Sequence, residues 1–145
     1  MDELLDYQDY PVLAAKNSTM ARRPLGVGII NLAYWLARND FSYQHIDADG
    51  LNKLHQYAEA WSYYLIKASV DLAKEKGPCT KWKETKYGQG LFPIDTYKRD
   101  VDELAKPEYA LQWRLLADEV ASHGIRNSTL MALMPSETSA QIRSE

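Results

Sequence analysis

The fold class of this chain depends on its C-terminal stretch LMALMPSETSAQI, residues 130–142. Apolar side chains fill residues 130–134, Pro135 ends that run, and hydroxyl groups with one carboxylate follow at residues 136–139. This order is typical of a strand, a turn and the first turn of a helix. We therefore predict a short buried strand at residues 128–134.

The predicted strand has no partner of comparable strength elsewhere in the sequence. A buried strand without neighbours leaves backbone donors and acceptors unpaired, which costs about 1–3 kcal/mol for each group. We therefore expect an α/β fold in which this chain contributes helices and one strand to a sheet whose other strands lie elsewhere.

The clearest helix has apolar residues at alternating steps of three and four. Its predicted apolar stripe consists of Leu51, Leu54, Ala58, Trp61, Leu65, Ala68 and Leu72. Asp47 or Asp49 is expected to cap its N-terminus, and Gly77 with Pro78 to end it, since glycine tolerates the left-handed cap and proline cannot continue a helix.

Other segments give weaker indications. Residues 25–38, LGVGIINLAYWLAR, predict either a helix or a strand followed by a helix. The long loop that begins at Thr80 is expected to be functional or to pack against another part of the protein. A short helical piece is predicted near residues 96–105, and a third helix from Pro107 to His123.

The composition is that of a globular domain. The chain has 145 residues, 46% of them hydrophobic, and a formal net charge of −3, so bulk attraction to nucleic acid or to an anionic membrane is not indicated. A single cysteine, Cys79, excludes an internal disulfide and suits a reducing compartment. The acidic start MDELLDYQDYP lacks the features of a signal peptide, and its carboxylates are expected to be solvated. We expect a cytoplasmic protein.

Several motifs have a structural interpretation that we favour over a functional one. Gly26 and Gly28 form an incomplete dinucleotide fingerprint, and close backbone packing explains them better. The segment HIDADG, residues 45–50, resembles part of a calcium loop but lacks carboxylates at two required places, so helix capping is favoured. His45, His55 and His123 are isolated in the sequence. Nearby Lys76 and Lys81 would lower the pKa of Cys79, but no partner histidine is evident.

The turn after Pro135 is a candidate anion site. The first amides of a helix have no acceptor inside it, and the helix dipole adds positive charge there. Ser136, Thr138 and Ser139 add hydroxyl donors, whereas the carboxylate of Glu137 would repel a phosphate and is expected to turn away. The alternative is an ordinary helix N-terminus with Ser and Thr caps.

Four stretches resemble, in order and with similar spacing, the C-terminal half of the catalytic large subunit of class I ribonucleotide reductase. They are LLDYQDYPVLAAKNSTMARRPLGVGIINLAYWLA, YYLIKAS, LFPIDTYKRDVDEL and HGIRNSTLMALMPSETSAQI. The resemblance covers residues 4–142, and ALMPSETS is a highly specific motif of that family.

The resemblance implies a mostly helical fragment of a ten-stranded α/β barrel, with residues 1–145 as a single incomplete domain. The family holds the substrate diphosphate with backbone amides and hydroxyls of the loop that matches residues 135–140. The expected substrate phosphate-binding residues are therefore Ser136, Glu137, Thr138 and Ser139.

The resemblance also implies that the radical chemistry resides outside this chain. The family's radical-bearing cysteine, its two reducing cysteines and its radical-relaying tyrosines lie outside the matching stretches, and Cys79 matches none of them. We therefore expect no catalytic residue, no metal ligand and no bound cofactor in this chain, and no activity from it alone.

The intact enzyme implied by the resemblance reduces ribonucleoside diphosphates by thiyl-radical chemistry. It uses nucleotide effectors, a dithiol reductant and a metal-containing small subunit that generates the radical. The expected partners are the rest of the large subunit, the small subunit and a ribonucleoside diphosphate, with no nucleic acid and no membrane. The alternatives are a non-catalytic helical interaction module derived from the reductase, and a small enzyme that uses Cys79.

Overall fold

The computed structural model describes residues 1–104 and 108–142, and this part of the chain is mostly helical. In chain order the helices are α1 (Leu4–Tyr7), α2 (Leu13–Arg22), α3 (Leu32–Arg38), α4 (Ala48–Lys76), α5 (Pro93–Thr96), α6 (Val101–Leu104), α7 (Trp113–His123) and α8 (Glu137–Ile142). Two 3-10 turns lie between α4 and α5, at Trp82–Glu84 and Tyr87–Gln89. In the described ranges, none of the helices is long and apolar enough to cross a membrane.

The ends of α4 confirm the sequence prediction. Of the two cap candidates, Asp47 is the N-cap, and its Oδ1 accepts a hydrogen bond from the Gly50 N–H at 2.8 Å. The helix ends before Gly77, whose φ of 83° lies in a region that side chains with a Cβ rarely adopt.

The buried side of α4 is displaced by one residue from the predicted stripe. Its buried residues are Gly50, Glu59, Ser62, Ile66, Ser69, Val70 and Ala73. Most residues of the predicted stripe lie one position before a buried residue in the sequence, and they are half-buried or exposed. Periodicity shows where apolar side chains fall on a helix, but the neighbouring elements decide which of them are buried first.

The core forms where α4 meets α7 and the segments on either side of it. Its buried apolar members are Ile66, Val70, Phe92, Trp113, Leu116, Val120, Ile125 and Leu130. Phe92 belongs to the long loop, and Trp82 and Tyr87 of the same loop pack against this cluster. Of the two expectations for the loop, packing is therefore the one that the structure supports.

The third predicted helix begins later than expected. Pro107 lies outside the described residues, and residues 108–112 are not helical. The physical reason is the Glu59 carboxylate, which accepts the backbone N–H groups of Ala110 and Leu111 at 3.1 and 3.0 Å. The short helix predicted near residues 96–105 is also wrong in extent, since α5 ends at Thr96 and α6 begins at Val101.

The predicted strand at residues 128–134 is not confirmed. The described residues contain one isolated parallel β-bridge, between Val27 and Met131, and no strand. Leu130 is buried, whereas Leu133 is 98% exposed. A single bridge is too short to count as a ladder, and Leu133 and Met134 in the second half of the predicted strand remain exposed.

Candidate functional site

The four predicted phosphate-binding residues lie together at the start of α8. The Ser136 carbonyl precedes the helix and accepts the Ala140 N–H at 2.7 Å. Glu137, Thr138 and Ser139 form the first turn of α8. Ser136 is half-buried and the other three residues are exposed, so their polar groups reach the surface of the protein.

This turn offers several donors to one anion. The first amides of an α-helix have no acceptor within the helix, and three hydroxyl groups lie beside them here. Glu137 is the one charged side chain among the four residues. Among these four residues, a bound phosphate would therefore find backbone and hydroxyl donors and no cation.

The extended segment before the turn, residues 129–132, pairs with a second extended segment, residues 25–27. The N–H groups of Leu25 and Val27 donate to the carbonyls of Thr129 and Leu130 at 3.0 and 2.8 Å. The Ala132 N–H donates in turn to the Val27 carbonyl at 3.0 Å. Three backbone hydrogen bonds thus fix the segment that leads into the candidate site.

Gly26 and Gly28 allow this close approach, as the sequence predicts. A Cβ at Gly26 would lie 3.3 Å from the Ala132 Cβ, and one at Gly28 would lie 2.6 Å from the Ala132 carbonyl oxygen. The second distance is too short for any side chain with a Cβ. The function of this pair of glycines in the structure is therefore backbone packing.

A cluster of charged groups lies just before the extended segment that contains Leu25 and Val27. It is centred on the buried side chain of Arg23. The Arg23 guanidinium donates to both carboxylate oxygens of Asp2, at 2.7 and 2.9 Å, and to both of Asp6, at 2.8 and 2.7 Å. Arg23 and Asp2 are 4% and 5% exposed. The expectation that the N-terminal carboxylates are solvated is therefore wrong for Asp2, because a partner 21 residues away in sequence leaves no local pattern.

Asn127 joins this cluster to α4 and to the segment before the turn. Its side-chain amide donates to Asp2 Oδ1 and to the Arg23 carbonyl, both at 3.0 Å. Its Oδ1 accepts the Ser69 hydroxyl at 2.8 Å, and its N–H donates back to the Ser69 Oγ at 2.9 Å. The cluster thus positions both extended segments, and with them the turn, and sequence reasoning missed it.

The pKa of Asp2 makes this cluster sensitive to acid. Burial raises the pKa of the carboxyl, but hydrogen bonds from Arg23, Arg126 and Asn127 outweigh burial and lower the pKa to about 2, from an ordinary value of 3.8. A lowered folded-state pKa contributes stability that is complete above the unfolded-state value and is lost as the pH falls to the folded-state value.

We expect Asp2 to contribute about 2 kcal/mol of stability that disappears between about pH 4 and pH 2. Urea unfolding of the chain and of Asp2→Asn at pH 5 and at pH 2 measures it. The difference in free energy of unfolding between the two proteins should shrink by about this amount at the lower pH. A difference that stays constant would show that the Asp2 pKa does not change on folding.

Glu59 is a second buried carboxylate that sequence reasoning missed. Besides the two backbone amides before α7, it accepts the indole N–H of Trp113 at 3.0 Å. Burial raises the pKa of Glu59, but the hydrogen bonds from Leu111, Ala110 and Trp113 outweigh it, so the pKa is lowered. Within the described residues, the donors to the Glu59 carboxylate come from the α7 side, which makes this residue a structural link between the two longest helices.

The remaining candidates have structural surroundings. Cys79 is buried, and burial raises the pKa of its thiol, which is opposite to the effect expected from the neighbouring lysines and unsuited to a nucleophile. Asp47 of the calcium-like stretch caps α4. His123 is the last residue of α7. Within the described ranges, no group of three or more His, Cys, Asp or Glu residues is arranged to hold a metal ion.

Comparison with known proteins assigns the chain to a family. Residues 1–145 match the family described as ribonucleotide reductase, barrel domain. A ribonucleoside-diphosphate reductase subunit alpha from Haemophilus influenzae is 54% identical over 142 residues, which are 98% of this chain and 18% of that protein.

Two further relatives agree. Ribonucleoside-diphosphate reductase 1 subunit alpha from Escherichia coli is 52% identical over 138 residues, 95% of this chain and 18% of that protein. The subunit alpha of Enterobacteria phage T4 is 48% identical over 142 residues, 98% of this chain and 18% of that protein. This chain therefore spans less than one fifth of the length of these relatives. Because the family match extends over residues 1–145, the chain belongs to the ribonucleotide reductase barrel domain family.

Proposed function

We propose that this chain acts as part of the catalytic subunit of a ribonucleoside-diphosphate reductase, where it supplies the substrate phosphate-binding loop. The observation that carries the proposal is the membership of the family over residues 1–145, which include the specific motif ALMPSETS. The gathering of Ser136, Glu137, Thr138 and Ser139 in one accessible turn supports it.

In the proposed assembly, residues 128–134 form one strand of a ten-stranded α/β barrel. The parallel bridge between Val27 and Met131 supports this arrangement because parallel pairing is typical of α/β barrels. The exposure of Leu133 and Met134 supports it as well, since neighbouring strands would cover them. Residues 1–145 would then be one incomplete domain.

The chain's own residues bind and orient the substrate in this proposal. Backbone amides and hydroxyls of the loop hold the diphosphate, while the Glu137 carboxylate points away from it. The thiyl radical, the dithiol reductant, the nucleotide effectors and the metal-containing small subunit belong to other segments or partners. In this proposal the chain alone is inactive.

The loop assignment predicts a loss of substrate affinity in a reconstituted enzyme. The chain is co-expressed with Escherichia coli subunit alpha that lacks the matching segment, and activity is measured with its small subunit. We expect the double variant Ser136→Ala and Ser139→Ala to raise the KM for a ribonucleoside diphosphate by about tenfold or more, because hydrogen bonds to a charged group are lost.

Ser122→Ala is the matched control, since its exposed hydroxyl donates to the Asp118 carbonyl on α7, outside the loop. It should leave the KM unchanged. Reconstituted activity that survives deletion of residues 136–139 would show that the loop does not hold the substrate.

A non-catalytic interaction module derived from the reductase is the second candidate. The outward-facing Tyr57 and Tyr64 favour it, since they are 61% and 57% exposed. Such a module would give no activity in the reconstitution and would bind a protein other than a reductase subunit. Restored activity would exclude it as the principal function.

A further inference from the structure

The middle of α4 presents an uncharged surface to the outside. Residues 54–66, LHQYAEAWSYYLI, contain one charged residue, Glu59, and this residue is 4% exposed. A helix that faces water carries charged side chains on its outer side. The outer side of α4 is therefore unlike a solvated one over more than three turns.

The uncharged surface has an aromatic centre and charged ends. Tyr57, Trp61, Tyr64 and Ala68 follow one another at steps of four, three and four, which places them on one side of the helix. We call them the aromatic side of α4. Ion pairs mark its two ends, Lys53 with Asp49 at 2.6 Å and Lys67 with Asp71 at 3.0 Å.

The composition of this side is that of a protein interface. Interfaces are enriched in tyrosine and tryptophan and depleted in lysine and glutamate. Trp35 of α3 extends the surface, since its ring packs edge-on against Tyr57 with centroids 5.5 Å apart. The aromatic side is thus suited to bind another polypeptide.

A cavity beside the aromatic side adds an independent observation. It has a volume of about 280 Å³, and Trp61, Ile94, Tyr97 and Tyr109 contribute to its walls. His55 also lines it, and the His55 Nε2 is buried without a hydrogen-bond partner among the described residues. Most of the residues that line the cavity are apolar or aromatic, so the cavity is suited to an apolar side chain.

We propose that the aromatic side of α4 and this cavity bind another segment of the same large subunit, an apolar segment that inserts a side chain into the cavity. The length of the relatives supports this occupant, because more than four fifths of their polypeptide lies outside the matching 18%. The inference rests on the proposed function, since it takes the chain to be one part of that subunit. A small molecule would fill the cavity but leave Tyr57 and Tyr64 uncovered.

Thiol labelling of a cysteine variant tests the proposal. The native Cys79 is 2% exposed, so a cysteine introduced at Tyr64 provides the accessible thiol. The variant Tyr64→Cys is labelled with a maleimide in the isolated chain and after co-expression with Escherichia coli subunit alpha that lacks the matching segment. We expect labelling in the complex to slow by about tenfold or more, because the centre of an interface excludes water.

Gln56→Cys is the control, since Gln56 is exposed and its spacing places it roughly 100° around the helix from Tyr57, outside the aromatic side. Its labelling should not change on assembly. A second pair, Ala68→Lys and Gln56→Lys, tests affinity, and we expect only Ala68→Lys to weaken the complex, by about thirtyfold.

The outcomes separate this inference from the proposed function. If the complex forms and Tyr64→Cys labels at an unchanged rate, the inference is wrong and the proposed function stands. If the isolated chain self-associates, and Ala68→Lys abolishes this self-association but leaves the complex with subunit alpha unaffected, a second copy is the occupant and the inference is wrong. If the chain binds no part of the reductase, both fail. Because labelling needs no substrate, failure of the loop assignment alone leaves this result unaffected.

Discussion

Replacement of Arg23 with alanine is expected to lower the free energy of unfolding by about 3–5 kcal/mol, since it breaks a buried ion pair on one side. The guanidinium makes five hydrogen bonds to Asp2 and Asp6, including one at 2.8 Å to the Asp2 carbonyl. Without Arg23, the buried Asp2 carboxylate retains Arg126 and Asn127 as its donors among the described residues. Urea unfolding of the chain at pH 7, followed by tryptophan fluorescence, measures the loss.

Arg22→Ala is the matched control because the two arginines are neighbours with different surroundings. The Arg22 side chain is 44% exposed and pairs with Glu84 at 2.8 Å, so its removal should cost less than about 1 kcal/mol. Arg23→Lys should be intermediate, since lysine keeps the charge but not the paired geometry with the carboxylate. Equal losses for Arg22→Ala and Arg23→Ala would contradict the assignment of Arg23 as the centre of the cluster.

Replacement of Glu59 with alanine is the second change with a large expected effect. Three donors lose their acceptor, and one of them, the Trp113 indole N–H, is buried. We expect the free energy of unfolding to fall by about 3 kcal/mol, because an unsatisfied buried donor adds its desolvation cost to the lost hydrogen bonds. Urea unfolding gives the total effect.

Hydrogen exchange locates the effect of Glu59→Ala. The amides of Ala110 and Leu111 should exchange faster, because they depend on Glu59 rather than on helical hydrogen bonds. Glu119→Ala is the control, since Glu119 pairs with Lys74 at 2.7 Å at a partly exposed position, and its loss should be below about 1 kcal/mol. A small effect of Glu59→Ala would mean that water replaces the carboxylate easily.

Local sequence patterns predict the features of this fold that depend on neighbouring residues. Asp47 and Gly77 are identified as the ends of α4 because a capping side chain and a left-handed terminus act within one turn. Gly26 and Gly28 are identified as packing residues because only glycine permits such an approach of two backbones. The four residues of the candidate loop are also identified locally, and the structure brings them into one turn.

Other features escape sequence reasoning because they depend on distant residues. The start of α7 is set by Glu59, which lies 52 residues before Leu111. The burial of Asp2 depends on Arg23 and on Asn127, the latter 125 residues away. The displaced buried side of α4 depends on which elements pack against it. In each case a pairing across the chain decides between two arrangements that the local pattern allows.

The sequence by itself determined the family, the helical character of the chain and the caps of α4, and it predicted the four residues of the candidate phosphate loop. These rest on motifs and on interactions within a few residues. Only the tertiary structure decided where Asp2, Glu59 and Cys79 are buried, and that the aromatic side of α4 faces outward. The physical reason is that burial and pairing depend on the complete set of neighbours in space, and the order of residues along a chain specifies those neighbours only after folding.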